Sequence, residues 1–390
     1  MKNRYRQNET WVQNRFVDQY GIEAFMKNAN MGLEEKGFKH VDIMRASARM
    51  TCLRSMPKAW TIVAQQQEQL AKEAEEKAHG ATAGAFYHRA ALYYGKAQLY
   101  YHKDDEKKID MYNDCIRCYE KAMKYFDYTI EKVVLPFGEH KLYGILHIPK
   151  DIKEPLPAVL ANPGMDMIKE DYPNLSDNFI IKRNMVGLVI DGPGFGETRA
   201  RGCRLTLDNY QQAGKLFIDY LCSRPEVNAD QIGVLGASLG SYYAPLVASY
   251  DSRVKGIATL LGAFTSFELL MHSVQPGCRN KFKYMTGVYD DDEFDTMVEQ
   301  MSLANIADKI KVPILASSGE FDEMCPPEMT MGFFKMLNCP KEVWILEDEH
   351  HSCAGMYHEL YAWALDWLRD VLTKGLPADH AVKKWIPSRR

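Results

Sequence analysis

Residues 231–250 read QIGVLGASLGSYYAPLVASY and place a serine between two glycines where the secondary structure changes. QIGVLG has the continuous apolar character of a buried strand, and LGSYYAPLVASY is typical of a helix. Ser238 therefore lies at a strand-to-helix turn, which is the context of a nucleophile elbow. Gly236 and Gly240 fit this tight turn, because a β-carbon at either position would collide with the neighbouring strand or helix.

The apolar runs around this turn predict a mostly parallel sheet. From residue 128 onward, short apolar runs alternate with segments of helical pattern, which implies parallel strands covered by helices on both faces. The runs are LPAVLAN, MVGLVID, QIGVLG, VKGIATLLG, VPILASSG and EVWILED, and helices are expected near 175–184, near 206–222, from about 239, near 327–337 and near 355–373. The runs TIEKVVLPF and KLYGILHIP flank the turn GEH and predict an antiparallel hairpin at one edge.

The interval from about 263 to 310 interrupts this alternation. It holds several short helical stretches and no clear strand. We expect a helical insertion that folds over the carboxyl ends of the strands, where open α/β sheets carry their ligand sites.

The region before residue 128 has a different, helical pattern. The segment Ala85–Phe126 predicts two antiparallel helices joined by the charged loop KDDEKK, because apolar and aromatic residues recur there at spacings of three and four. We therefore predict two domains, an all-helical cap over residues 1–127 and an α/β domain over residues 128–390. The aromatic side chains of the helical region suit a cap that covers an active site, and ordinary helix packing is the alternative interpretation.

Composition and charge exclude several classes of function. The chain has 390 residues, 46% of them apolar and 26% charged, and a formal net charge of −4, which is the balance of a soluble globular protein. No basic footprint indicates nucleic-acid binding, and no apolar run approaches the ~20 residues that cross a membrane. The polar start MKNRYRQNETW lacks the apolar core of a secretory signal. With nine scattered cysteines, these features predict a cytoplasmic protein with free thiols.

Two further segments supply the partners that a reactive serine needs. A serine hydroxyl is a weak nucleophile until a base takes its proton and an acid orients that base. Asp322 follows the strand VPILASS within GEFDEMCPPE, and His351 follows the strand EVWILED within EHHSCAG. Each candidate follows a separate strand, so all three side chains could meet at one sheet edge. Glu320 and Glu323 are neighbouring carboxylates, and the spacing G-x-x-D before C-P-P favours Asp322.

Four motifs carry a family resemblance: GASLGS, DGPGFGE, GEFDEMCPP, and EHHSC followed by DWLRDVL. With these motifs the chain resembles the α/β-hydrolase superfamily. Its helical N-terminal region resembles, more narrowly, the group that contains 2,6-dihydroxypseudooxynicotine hydrolase and the FrsA-like esterases, over most of the chain from about residue 85. The resemblance implies the α/β-hydrolase fold and a catalytic triad of Ser238, Asp322 and His351 in that chain order. Alignment on DWL favours His351 as the base, and His350 stays open as the alternative.

The resemblance also implies an oxyanion hole. One donor would be the backbone N–H of Leu239, the residue after the nucleophile. The other would be the N–H of Met165 in the loop NPGMD, where Gly164 allows the chain to approach the developing oxyanion closely. Two such donors stabilise charge that exists only in the transition state.

No pattern in the sequence indicates a cofactor. DGPGFGE has its glycines at positions 192, 194 and 196, which match neither a dinucleotide-binding fingerprint nor a Walker loop. Cys115 and Cys118 form a lone C-x-x-C in a helical segment, where they are expected to be structural. We therefore predict neither a metal nor another cofactor.

These residues predict a serine hydrolase that forms an acyl-enzyme and then hydrolyses it with water. The expected partner is a small-molecule carbonyl substrate. The resemblance implies one candidate reaction, the hydrolysis of an activated C–C bond such as that of a β-diketone. We prefer the other candidate, the hydrolysis of a carboxylic ester. C–C cleavage also needs a proton for the leaving carbon, and Glu268, His272 and Asp290 are candidate donors with surface or structural roles as the alternative.

The sequence also offers candidate residues for substrate binding and a candidate surface for assembly. Tyr87, His88, Tyr93 and Tyr94 are candidates for an aromatic pocket, with helix packing as the alternative, and Glu268 is a further candidate for substrate binding. A homodimer is left open, because the cap offers a surface for it.

An oligopeptidase-type serine peptidase is a second hypothesis for the enzyme, although such peptidases usually carry a β-propeller where this chain is helical. A third reading is a non-catalytic binding or regulatory protein on a hydrolase scaffold.

Overall fold

The computed structural model describes residues 10–274 and 276–388. The described residues form two compact units. The first contains those of Met1–Ile130, Glu170–Asn178 and Gln275–Tyr284, and the second contains those of Glu131–Lys169, Phe179–Val274 and Met285–Arg390. The domain boundary at residue 128 stays a prediction, and the two later segments of the first unit were not anticipated from the sequence.

The first unit consists mainly of α-helices. They are α1 (Thr10–Glu35), α2 (His40–Ser47), α3 (Met56–Glu76), α4 (Gly80–Gln98) and α5 (Glu106–Ala122). Helix α1 is kinked at Gly21, whose φ of 81° and ψ of 160° are not helical. Helices α4 and α5 confirm the two helices predicted within Ala85–Phe126, although α5 already begins inside KDDEKK.

Helices α3, α4 and α5 enclose an aromatic core. Tyr87, Tyr93, Tyr112 and Tyr119 are almost completely buried in it. Gly84 permits a close approach of its helix to Tyr125, because an added β-carbon would lie 2.4 Å from the Cβ of that tyrosine. This packing explains why aromatic residues recur at helical spacing in the N-terminal half.

One mixed sheet dominates the second unit. In the part of the chain that the structure describes, its nine strands are β1 (Thr129–Phe137), β2 (His140–Ile148), β3 (Leu156–Asn162), β4 (Val186–Asp191), β5 (Val227–Ala237), β6 (Val254–Leu260), β7 (Ile314–Gly319), β8 (Lys341–Leu346) and β9 (Ala381–Ile386). Their order is β1-β2-β4-β3-β5-β6-β7-β8-β9. Strand β2 is antiparallel to β4. From β4 onward in this order, and including β3, each strand is parallel to its neighbour.

Helices connect the strands of this unit. They are α6 (Gly196–Ala200), α7 (Asn209–Cys222), α8 (Leu239–Tyr250), α9 (Phe267–Ser273), α11 (Asp291–Glu299), α12 (Pro327–Met336) and α13 (Tyr357–Lys374). Helix α10 (Pro276–Thr286) follows α9 along the chain but belongs mainly to the first unit. Every residue of β3 and of β4 is buried, which accounts for their unbroken apolar sequences. The α/β-hydrolase fold predicted from the sequence, a mostly parallel sheet with flanking helices and a helical N-terminal region, is confirmed.

Two predicted features differ from the structure. The helix predicted near 175–184 is wrong: the regular structure there is a single 3-10 turn at Ile181–Arg183, which ends at Asn184 in the left-handed region (φ 53°). Strand β9 was missed, because most of its residues are exposed and AVKKWI therefore lacks an apolar run. The described part of the interval 263–310 does form short helices, and α10 lies mainly within the first unit.

Candidate active site

Ser238 occupies the sharp turn between β5 and α8. Its backbone has φ 51° and ψ −119°, a conformation that residues with a β-carbon rarely adopt. A β-carbon on Gly236 would lie 2.1 Å from the carbonyl oxygen of Gly240, and one on Gly240 would lie 2.1 Å from the carbonyl oxygen of Asn162. Both glycines are therefore required by close backbone approaches, as predicted from the spacing of GASLGS.

Three predicted residues lie in hydrogen-bonding contact. The Oγ of Ser238 is 2.7 Å from the Nε2 of His351. The Nδ1 of His351 is 2.9 Å and 3.0 Å from the two carboxylate oxygens of Asp322. Because a carboxylate can only accept, it selects the tautomer with hydrogen on Nδ1, which leaves Nε2 free to accept from the serine hydroxyl.

The carboxylate of Asp322 is fixed from the backbone side. Its Oδ1 accepts the N–H groups of Met324 (2.9 Å) and Cys325 (2.7 Å), and its side chain is fully buried. Hydrogen bonds of this kind hold a carboxylate in one orientation. Asp322 follows β7, as its sequence motif predicts, but these two backbone donors could not be predicted from the motif.

The neighbouring acids and the second histidine have other contacts. His350 is half exposed, and its Nδ1 lies 3.6 Å from the Glu323 carboxylate. Glu320 accepts the N–H of Asp348. Of the two histidines, the structure brings His351 to Ser238 and Asp322.

The two segments proposed for the oxyanion hole flank the elbow. Leu239 is the first residue of α8, so its N–H precedes the intrahelical hydrogen bonds. Met165 lies in the turn that follows β3. A β-carbon on Gly164 would lie 3.2 Å from the carbonyl oxygen of Ala237 and 3.3 Å from the Cβ of Ser238. The loop thus passes directly beside the serine, and the donor roles stay predictions.

The residues proposed for substrate binding have structural partners. The Tyr87 hydroxyl donates to Glu75 (2.7 Å) and that of Tyr94 donates to Glu68 (3.0 Å), both within the first unit. His88 is buried, and burial lowers its pKa to about 3. Their part in substrate binding stays a prediction. In the structure, all three side chains are buried within the first unit, which is the packing alternative.

The proton donors proposed for the insertion lie at helix ends. Glu268 is exposed in the first turn of α9, and His272 lies in the last turn of that helix. The Asp290 side chain caps α11 by accepting the N–H groups of Asp292 and Glu293. This capping role of Asp290 is the structural alternative that the sequence analysis left open.

DGPGFGE closes around buried charges of the protein itself. Asp191 accepts the backbone N–H groups of Lys169 (3.0 Å) and Glu197 (2.8 Å). The Nζ of Lys169 lies 2.8 Å from the Glu197 carboxylate and 3.3 Å from that of Asp191. A β-carbon on Gly196 would lie 2.1 Å from Asp191 Oδ2. Gly196 therefore allows the loop to close tightly over these buried charges.

Two searches of the described residues bear on other functions. No group of three or more His, Cys, Asp or Glu side chains among them could hold a metal ion. Within the same residues, no helix is both long and apolar enough to span a bilayer. The absence of a cofactor stays a prediction.

The parallel sheet with a serine at a strand-to-helix elbow defines a hydrolase of the α/β-hydrolase class. The sequence model of the family described as Esterase FrsA-like matches residues 56–286, more than half of the chain. The chain belongs to this family. The model of the prolyl oligopeptidase family matches residues 203–375.

Individual relatives agree with this assignment. Esterase FrsA of Pectobacterium atrosepticum is 26% identical over 70% of this chain, which spans only 64% of that relative's length. The 2,6-dihydropseudooxynicotine hydrolase of Paenarthrobacter nicotinovorans is 23% identical over 84% of this chain and 87% of its own. A crystal structure of 2,6-dihydroxy-pseudo-oxynicotine hydrolase covers 90% of this chain and 98% of its own at a TM-score of 0.79 and 24% identity. The last likeness shows the shared fold.

Proposed function

We propose that this protein is a serine hydrolase in which Ser238, His351 and Asp322 act through an acyl-enzyme on a small-molecule carbonyl substrate. The observation that carries the proposal is the continuous chain of contacts from Ser238 Oγ to His351 Nε2 and from His351 Nδ1 to Asp322. A nucleophile, a base and an orienting acid in this geometry are the components of a catalytic triad.

Acylation would begin with attack of Ser238 Oγ on the carbonyl carbon. His351 Nε2 accepts the hydroxyl proton, and Asp322 stabilises the resulting imidazolium. The carbonyl oxygen becomes an oxyanion, which the N–H groups of Leu239 and Met165 would stabilise as hydrogen-bond donors. When the tetrahedral intermediate collapses, His351 returns the proton to the leaving group and the acyl group stays on Ser238.

Deacylation would repeat these steps with water as the nucleophile. His351 takes a proton from the water while its oxygen attacks the acyl carbon, and the proton then returns to Ser238 Oγ as the acid leaves. The side chain of His351 is only 12% exposed, so the base exchanges protons with the substrate and an adjacent water molecule rather than with bulk solvent.

The substrate class follows from the mechanism and from the relatives. Membership of the Esterase FrsA-like family supports a carboxylic ester. Similarity to a protein named for hydrolysis of 2,6-dihydropseudooxynicotine supports a small organic molecule. Hydrolysis of an activated C–C bond, as in a β-diketone, uses the same attack but requires a proton on the leaving carbon.

A serine peptidase is the second candidate. The match of residues 203–375 to the prolyl oligopeptidase family favours it, since this range contains all three triad candidates. The two candidates share the acylation step and differ in the leaving group, which is an alcohol or a carbon for the first and an amine for the second.

The decisive experiment combines a fluorophosphonate probe with a panel of substrates. The purified protein should react with the probe at Ser238, identified by peptide mapping, and Ser238→Ala should abolish both labelling and turnover. Ser249→Ala, on the same helix, is the matched control and should retain both. The panel contains acyl esters, thioesters, β-diketones and short peptides, and preferential cleavage of peptides would select the second candidate. Labelling or turnover that survives in Ser238→Ala would refute the proposed nucleophile.

A further inference from the structure

Asn162 connects three parts of the candidate active site. It is the last residue of β3 and is almost fully buried. Its Nδ2 donates to the carbonyl oxygen of Leu235 on β5 (3.1 Å), and its Oδ1 accepts a hydrogen bond from the hydroxyl of Tyr210 (3.0 Å). The Leu235 carbonyl oxygen can only accept, which selects the orientation with Nδ2 toward it, and the Tyr210 hydroxyl can then donate to Oδ1.

Asn162 also marks the start of the loop beside the serine. The segment Pro163–Met165 follows it directly and contains the proposed oxyanion donor Met165. The carbonyl oxygen of Asn162 packs against the elbow so tightly that a β-carbon on Gly240 would lie 2.1 Å away. A shift of Asn162 therefore moves the beginning of this loop relative to Ser238.

Tyr210 is held in place by aromatic packing. Its ring stacks on Tyr243 of α8 at 3.9 Å between centroids and meets Phe195 edge to face at 5.6 Å. A β-carbon on Gly192 would lie 2.5 Å from the Cε2 of Tyr210. Phe195 and Gly192 both belong to DGPGFGE, so this loop forms the seat of the tyrosine ring. Burial raises the pKa of Tyr210 well above its usual value, which keeps the hydroxyl protonated as a donor.

We propose that Tyr210 and Asn162 are positioning residues for the oxyanion loop, and that DGPGFGE holds Tyr210 for this purpose. The proposal rests on the function proposed above and adds to it a structural reason for the DGPGFGE motif. The hydroxyl of Tyr210 fixes the amide of Asn162, the amide ties β3 to β5, and the loop that starts at Asn162 thereby keeps Met165 at a defined distance from Ser238.

The expected consequence is a selective effect on the chemical step. Charge on the carbonyl oxygen develops only in the transition state, so a displaced donor lowers kcat more than it raises KM. Removal of the Tyr210 hydroxyl leaves the loop in place but less firmly fixed. We expect kcat to fall by about 10-fold, because small displacements of catalytic groups have large effects on rate.

The test compares Tyr210→Phe with Tyr243→Phe. Both variants lose one hydroxyl from the same ring stack, but the Tyr243 hydroxyl takes no part in the contact with Asn162. For each variant, kcat and KM are measured on an ester that the wild-type protein hydrolyses. The dissociation constant of a trifluoromethyl ketone, which forms an oxyanion adduct with serine, and the melting temperature are also measured. Asn162→Ala and the double variant with Tyr210→Phe complete a thermodynamic cycle.

The proposal predicts that Tyr210→Phe lowers kcat and weakens the ketone by the same factor, with KM and the melting temperature almost unchanged. Tyr243→Phe should match the wild type, and Tyr210→Phe should have little further effect in the Asn162→Ala background. Wild-type kcat and ketone affinity in Tyr210→Phe would overturn the proposal, as would an equal loss in Tyr243→Phe. Failure of the proposed function is distinguishable, because it would appear as turnover that does not depend on Ser238.

Discussion

The backbone of Ser238 is held in a conformation that costs a residue with a side chain about 1–3 kcal/mol. Two glycines remove the steric barriers around it, and the N–H of Ser238 donates to the carbonyl of Leu260 at 2.8 Å. The main chain thus fixes the direction of the Cα–Cβ bond, and the contact with His351 Nε2 at 2.7 Å holds the Oγ. A nucleophile fixed in this way loses little conformational freedom when it attacks.

The adjacent histidines at positions 350 and 351 allow a test of which residue acts as the base. His351→Ala should lower kcat by roughly 10³-fold or more, because triad members act as a unit. His350→Ala removes a contact of 3.6 Å to an exposed carboxylate and a ring contact with Phe321 at 6.1 Å between centroids, and it should change kcat by less than about twofold. Steady-state kinetics on one ester, with fluorophosphonate labelling as a second readout, measures both. A larger loss in His350→Ala would reassign the base.

The residues of the candidate site were predictable to different degrees. Ser238 and Asp322 follow from motifs that have a defined place after a strand. The choice between His350 and His351 required a family resemblance, since adjacent residues of one type are equivalent in a sequence pattern. The contact of Tyr210 with Asn162 joins residues 48 positions apart, and no local pattern specifies such a contact.

Among the elements, helices α3, α4 and α5 are joined by the buried carboxylate of Glu68. Glu68 on α3 accepts two hydrogen bonds from Arg117 on α5 (2.8 and 3.0 Å) and one from Tyr94 on α4 (3.0 Å). Burial alone would raise the pKa of Glu68, but hydrogen bonds from Arg117, Lys72 and Tyr94 lower it to about 2. One side chain thus connects three helices, and its charge contributes to their packing.

Glu68→Gln should therefore destabilise the protein in a pH-dependent way. A carboxyl whose pKa falls from 4.5 to about 2 on folding stabilises the folded state above pH 4.5 and loses this effect as the pH falls toward 2. We expect a loss of about 1–3 kcal/mol at pH 7 that shrinks as the pH approaches 3.5. Urea denaturation at both pH values measures it. Glu73→Gln, which alters an exposed residue of the same helix, is the control, and a pH-independent difference for Glu68→Gln would contradict the prediction.

Elements were predictable where burial gives them a simple pattern. Strands β3 to β8 have apolar runs because both faces of the sheet are covered, and the sequence shows them clearly. Strand β9 lies at the edge and is mostly exposed, so its sequence resembles a polar loop. The segment near 175–184 has apolar residues at helical spacing, but residues 170–178 belong to the first unit and the chain turns at Asn184.

Across the whole molecule, the nine cysteines are unequally accessible. Cys52, Cys222 and Cys278 are partly exposed, and the other six are buried. Burial raises the pKa of Cys203 and of Cys339 to about 11, so neither thiol is ionised at neutral pH. Burial protects these residues in two ways. It limits the access of reagents to the sulfur, and it disfavours the thiolate, which is the reactive form.

Titration of thiols should reflect this division. With Ellman's reagent at pH 7.5, at most three cysteines of the native protein should react within minutes, and all nine should react in guanidinium chloride. The triple variant Cys52→Ser, Cys222→Ser, Cys278→Ser should show no rapid phase while its unfolded form still yields six thiols. Rapid reaction of the native triple variant would contradict the burial described here.

The chain of contacts at Ser238 joins parts of the sequence that are far apart. Ser238 and His351 are separated by 113 residues, and Asp322 and His351 by 29. Contacts of such long range are slow to form, because long loops must close before they can be made. The neighbouring strands β5, β6, β7 and β8 have to pair before the proposed nucleophile meets its base. In a refolding experiment, the time at which the protein begins to react with a serine-directed reagent therefore reports when this part of the sheet has assembled. This time can be measured independently of the formation of the helices.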